Sequence, residues 1–390
     1  CLGDKAKAVL AAVDMQTMIS FLCNPSDSTH TVFASLAIGN VASNADLHAS
    51  VLESKALDSM LGLSDSVDFE SKRCIAYAVC NLSSDKQNRP SIISMGGLHS
   101  IIFLCSTGDR GDMMAALSTI RGMATSPEAR RTILEEGILS TLSACMSVRD
   151  HGIRQSITSI QVLLSLNEEN KAGIIKSDEM RNFVELAEDD NDAVTISQFC
   201  HFIGNISENR ELHQDLLRVV PLELLAARLC SHADPSVAIN ATRVISNLSS
   251  NFEVHHDLLV SPSLIESVTG NTSRCVDLAR VSVLALANLC LNPNVHATLP
   301  LSKLVTVFSG ALQGEVHQDG LLGHADESKC YACLALCAIC QDPPILSKII
   351  DSGVISSLIA LLESRNTDLK RHVVFTLSRL SALTAACKQM

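Results

Sequence analysis

The sequence predicts an all-α chain built as one elongated stack of short helical repeats, and three observations carry that expectation. The composition is aliphatic: 47% of the 390 residues are apolar, yet there is no Trp and there are only two Tyr. Such side chains pack helix on helix, whereas sheet domains of this length draw on more aromatic and β-branched residues. A column of equivalent residues returns about every 41 positions along the chain. Around it, apolar or small residues hold offsets of −6, −2 and +1, which are four and three apart and therefore share one helix face.

The column is seen when segments such as "YAVCNLSS", "FIGNISEN" and "LALANLCL" are aligned, which superposes Asn40, Asn81, Asn205, Asn247 and Asn288. Gly122, Ser165, Ala338 and Arg379 fill the remaining units, with spacings of 41, 41, 43, 40, 42, 41, 50 and 41. Two places earlier stand Ile38, Val79, Ile120, Leu163, Ile203, Ile245, Leu286, Leu336 and Leu377, and one place later an apolar residue, from Val41 to Leu380. Six places earlier the residue is often small, as at Ala34, Ala116, Ala241, Ser282 and Ala332, which admits a close neighbour. Upstream lies a second helix, as in residues 137 to 147, 221 to 231 and 353 to 364, and polar turns such as Asp234-Pro235 supply helix starts. A short helix follows each column residue. No such unit can bury its apolar face alone, so stacking must stabilise it. The expected organisation is a single domain over 1–390, with an insertion at 313–327 in the eighth unit.

A unit of about 41 residues that opens its second helix with a pattern like "GILSTLSAC" and closes its third with one like "LALANL" resembles the armadillo repeat. The resemblance covers roughly residues 15 to 390, and HEAT repeats, which lack the Asn column, fit less well. It implies a right-handed superhelical solenoid of about nine armadillo repeats, whose third helices line a concave groove that holds extended partners. The importin-α adaptors of this family place Trp four residues before the Asn. Here those positions hold Leu36, Tyr77, Ser118, Gln161, His201, Arg243, Leu284, Leu334 and Phe375, so no indole slot for basic side chains is expected. The style is nearer to vacuolar and ciliary armadillo proteins and to β-catenin.

The column and the positions four and eight before it give 27 places on one ridge. They include Arg73, Arg243, Arg280, Arg371 and Arg379 but neither Asp nor Glu, although 42 of 390 residues are acidic. The expected partner-binding residues are therefore Arg73, Tyr77, Asn81, His201, Asn205, Arg243, Asn247, Arg280, Asn288 and Arg371. An acidic or phosphorylated extended protein segment would dock on their Arg forks, with Asn side chains pairing to its backbone. The alternative is a subunit built permanently into an assembly such as a cilium, a cytoskeletal lattice or a membrane-contact site.

Other signals are read as structural. Cys330, Cys333, Cys337 and Cys340 form one stripe of a single helix, which cannot close a tetrahedron around a metal, and are expected to be core thiols. The acidic turn 188–192 is expected to be a solvated helix cap, and His255 and His256 surface residues. The net charge of −12 argues against nucleic acid as a partner. Fifteen scattered cysteines suit a reducing, cytoplasmic compartment. No apolar run is long enough to span a bilayer. The nucleotide-binding, zinc-protease and serine-hydrolase motifs are absent, so neither an enzyme nor a cofactor is expected. Beginning at Cys1, the chain is expected to be part of a longer one.

Overall fold

A computed structural model describes residues 15–22, 28–63, 67–261, 263–314 and 322–389. Among them every regular element is a helix. The chain divides into two compact units, 1–186 and 187–390. Each unit is an all-α solenoid stack whose layers are set by the long third helix of each repeat. In the first unit these are α1 (Ser28–Ala42), α2 (Phe69–Leu82), α3 (Arg110–Ala124) and α4 (His151–Ser165). In the second they are α5 (Ala193–Ile206), α6 (Pro235–Ser249), α7 (Val276–Cys290), α8 (Leu322–Ile339) and α9 (Thr367–Gln389).

Third helices start where an Asp can accept the backbone N–H groups that a helix start leaves free. Asp68, Asp109, Asp150, Asp192 and Asp234 do so for Ser71, Asp112, Ile153, Thr195 and Val237. Four positions after the column an Asn caps the next short helix. Asn44, Asn209, Asn251 and Asn292 each accept the N–H two residues on. The turn between the first and second helices needs a left-handed residue, supplied by Gly96, Gly137 and Gly353 at φ 80°, 76° and 79°. In the second repeat the equivalent residue is Lys55, held at φ 60°.

The offsets −2 and +1 face the core as expected: Ile38, Val79, Ile120, Ile203, Ile245 and Leu286 are wholly buried, as are Val41, Leu82, Met123, Ile206, Leu248 and Leu289 to within 1%. The fourth repeat departs from the expected register. Its +1 residue on that alignment, Leu166, is 49% exposed, while Leu164 is wholly buried. In α2, α3, α5 and α6 the capping Asp stands thirteen residues before the column; counting from Asp150 in the same way puts the fourth column residue at Leu163, not Ser165. The cap residue fixes the helix phase, and the shift of two brings Gln161 to the buried −2 position, with 1% exposure.

Several other expectations are corrected. His255 is wholly buried, because its imidazole closes a turn between helices; the surface assignment fails for it. Asp192 does cap a helix, but Asp190 is only 2% exposed and its carboxylate accepts the Asp192 N–H, so the acidic turn is folded inward there. The expected second helix at 221–231 is wound as a π-helix over Leu224–Leu229, the Cys230 N–H reaching back to Leu225 O at 2.8 Å. Cys333, Cys337 and Cys340 are buried, with the Cys337 thiol 3.4 Å from Thr376 Oγ1, while Cys330 is half-buried. Residues 315–321 of the expected insertion lie outside the described residues, which resume at Leu322. Among the described residues no single helix is long and apolar enough to cross a membrane.

Candidate functional site: the third-helix ridge

The column Asn residues are tied backwards. Asn81 Nδ2 donates to Gly39 O (3.0 Å), Asn247 Nδ2 to Gly204 O (3.3 Å) and Ser207 Oγ (2.9 Å), and Asn288 Nδ2 to Ser246 O (3.3 Å) and Ser249 Oγ (3.2 Å). Each bond reaches the third helix of the preceding repeat or, at Ser207, the residue that caps its end. The acceptor carbonyl belongs to a glycine at 39 and 204 and to a serine at 246, so the bond does not depend on the side chain there. The Asn therefore holds layers together through its amide nitrogen. The Oδ1 atoms of Asn81, Asn247 and Asn288, on half-buried side chains, have no partner among the described residues. Asn205 differs: it is 2% exposed and its Oδ1 accepts Arg243 at 3.0 Å.

The arginines are less available than the ridge count implies, because acids just off the ridge reach them. Arg73 places Nε 2.8 Å from Asp112 Oδ2 and a terminal nitrogen 3.0 Å from Oδ1, a two-pronged pairing with the next repeat. Tyr77 adds its hydroxyl to the same carboxylate at 2.6 Å. Burial alone would raise the Asp112 carboxyl, but these bonds outweigh it and hold it below the usual carboxylate range. Burial and the charge it donates to push the Tyr77 phenol up to about 12. Arg73 and Tyr77 are thus committed to an internal bond. Asp112 was missed because it lies ten residues before its own column, on a face that a ridge count ignores.

In the second unit the pairing is looser. Arg243 reaches Glu208 at 2.6 Å and Arg280 meets Glu327 at 3.5 Å, and both acids are about half exposed. Arg280 also keeps a buried Nε–H without an acceptor. His201 is half-buried beside Arg243; desolvation and that positive charge lower its pKa. Among the described residues Arg371 pairs only with Asp368 of its own helix, both 76% exposed, and Arg379 is exposed. The structure thus places His201, Asn205, Arg243, Asn247, Arg280 and Asn288 on successive third helices α5 to α7, with Arg371 apart on α9. Among the described residues no cluster of three or more His, Cys, Asp or Glu could hold a metal.

Comparison with known proteins is consistent with this architecture. No family model matches the chain. Over 144 residues it is 26% identical to Vacuolar protein 8 of Schizosaccharomyces pombe, a stretch that covers 36% of this chain and 26% of that protein. This chain therefore matches about a quarter of the length of that relative. The crystal structure of an engineered protein superposes with a TM-score of 0.72 at 18% identity, covering 98% of this chain and 92% of the other. At that identity the likeness concerns fold alone, and the fold is an all-α solenoid.

Proposed function

We propose that the chain is an armadillo-type protein-interaction scaffold without catalytic function, and that the α5–α7 ridge holds an extended acidic segment of a protein partner. The observation that carries this reading is the division of labour in the column: Asn Nδ2 is spent on the preceding helix, while Oδ1 of Asn247 and Asn288 is left to accept peptide N–H groups one repeat apart. Arg243 and Arg280 lie four and eight residues before these Asn and offer charge-assisted bonds. Glu208 and Glu327 hold them only by partly exposed ion pairs, which are worth about 0–1 kcal/mol and can be exchanged for a better acid. Arg73 falls outside the site, since Asp112 already fills its fork. The likeness to Vacuolar protein 8 supports a scaffold of this kind. We place it in the cytoplasm, where the cysteines, all free among the described residues, stay reduced.

The test is affinity purification at low and high salt, followed by direct titration of an acidic peptide from the recovered partner. Arg243→Glu with Arg280→Glu should abolish binding, whereas Arg73→Gln should leave affinity unchanged once folding is verified. Equal affinity in the double variant, or no weakening by salt, would end the acidic-segment reading. The built-in subunit is the second reading, favoured by exposed apolar side chains on α1 and α9: Phe33 (64%), Leu36 (46%), Val374 (55%) and Phe375 (60%). It predicts concentration-dependent association in light scattering, suppressed by Phe375→Glu.

A further inference from the structure

In five of the third helices an Asp carboxylate sits against the first free N–H groups. α7 has none. Its N-cap is Cys275, whose side chain makes no capping bond. Only the fourth amide of the segment, Ala279, turns back, to Cys275 O at 2.8 Å. The N–H groups of Val276, Asp277 and Leu278 therefore have no acceptor among the described residues. A fifteen-residue helix directs partial positive charge at that end.

This start opens on a cavity of about 530 Å³, lined among others by Ser273, Arg274, Cys275, Val276, Ser328 and Lys329. Lys329 is an independent pointer to a ligand. It is 8% exposed, it lines the cavity, and no carboxylate pairs with it among the described residues. A lysine whose side chain is covered to that extent ordinarily has an anionic partner at its tip. Arg274 adds a second positive charge; its guanidinium is held by the carbonyls of Cys230, His232 and Ala233, which fix its place without neutralising it. Asp277 is exposed and is not among the residues that line the cavity.

We propose that the start of α7 together with Lys329 binds a small oxyanion of the phosphate class, either free phosphate or a phosphate monoester, in the place where sister repeats hold their own Asp carboxylate. Helix-start N–H groups and the ammonium of a largely covered lysine are the donors that such an anion needs. The site is distinct from the α5–α7 ridge residues and does not rest on the reading given to them.

Inorganic phosphate titrated against the full chain at constant ionic strength should raise the melting temperature saturably and shift the amide resonances of Val276, Asp277 and Leu278. Cys275→Asp supplies an internal carboxylate. It should raise the melting temperature without phosphate and weaken the phosphate response by about tenfold or more. Lys329→Met should weaken it similarly, and if that variant misfolds the wild-type amide shifts and Cys275→Asp still give the answer. A second arm uses N-acetyl-phosphoserine amide against its unphosphorylated parent: tighter binding of the monoester than of phosphate assigns the anion to a modified side chain, and the reverse assigns it to the free ion. Unmoved amides in the wild type, or a Cys275→Asp protein that responds like the wild type, would overturn the site.

Discussion

Gln161 brings a primary amide into the layer that Ile120, Ile203 and Ile245 fill in sister repeats. It is 1% exposed, and neither Nε2 nor Oε1 has a hydrogen-bond partner. A buried polar group in that condition costs about 1–3 kcal/mol, more than the net worth of an average hydrogen bond. Leu has nearly the same volume and no such need. Gln161→Leu is therefore expected to stabilise the protein by about 1–3 kcal/mol, seen as a higher urea midpoint at constant slope. A lower midpoint would mean that the amide has a partner after all. Lys55 offers a second residue-scale test, since it adopts φ 60° where Gly96 and Gly137 stand in the next repeats. Left-handed backbone costs a side-chain residue about 1–2 kcal/mol, partly offset in Gly by its freer unfolded chain. Lys55→Gly should then gain about 0.5–1 kcal/mol in the same assay.

Between one repeat's third helix and the next repeat's first helix, a basic side chain eight residues after the column acts as a hook. His48, His213, His255 and His296 each direct Nε2 to the carbonyl six residues earlier, at 2.9, 2.8, 2.6 and 2.7 Å. Arg89 and Arg130 do the same through Nε, at 2.9 and 3.0 Å. With Nε2 donating, Nδ1 must accept, as it does from Asn88 to His48 and from Asn292 to His255, both at 3.2 Å. Protonation would set two donors against each other. Burial lowers the pKa of His213 and His255 from the ordinary 6.5, the hydrogen bond to the carbonyl opposing it only in part. The folded state therefore binds fewer protons than the unfolded one. The contribution is fully present above the unfolded value of 6.5 and is lost as pH falls from there toward the depressed folded values. A melting temperature that drops by a few degrees between about pH 7 and about pH 5.5, before carboxylates titrate, is expected. His213→Gln with His255→Gln should flatten that drop, and an equal drop in the double variant would assign it elsewhere. This hook was legible in the sequence, since four His stand at one offset from four Asn. The adjacent pair His255 and His256 obscures it, because only His255 stands at that offset.

At the scale of the molecule, the repeat was legible because burial forces branched aliphatics to the same two offsets in most layers. The fourth layer was misregistered where Gln161 broke that rule, although Asp150 marks the helix start and would have restored it. The ridge was legible as a set of positions but not as chemistry. Asp112 and Glu208 meet their Arg across a repeat boundary, so their pairing depends on how layers stack and not on spacing within one. In such a stack, stability is close to a sum of repeat terms and nearest-neighbour interfaces, and the Asn column can test this. Asn81→Ala removes the bond to Gly39 O in the first unit, and Asn288→Ala removes those to Ser246 O and Ser249 Oγ in the second. Each should cost about 1–2 kcal/mol. The two sites share no partner, so the double variant should lose the sum to within about 0.5 kcal/mol. Asn247 sits on α6 between Ser246 and Ser249, the two acceptors of Asn288, and itself reaches back to Gly204 and Ser207. Asn247→Ala with Asn288→Ala therefore perturbs one shared helix from both sides and should depart from additivity by about 0.5 kcal/mol or more. Equilibrium unfolding in urea of the four variants, with a common slope, gives both sums. If the distant pair couples as strongly as the adjacent one, stability does not pass from layer to layer as a solenoid requires.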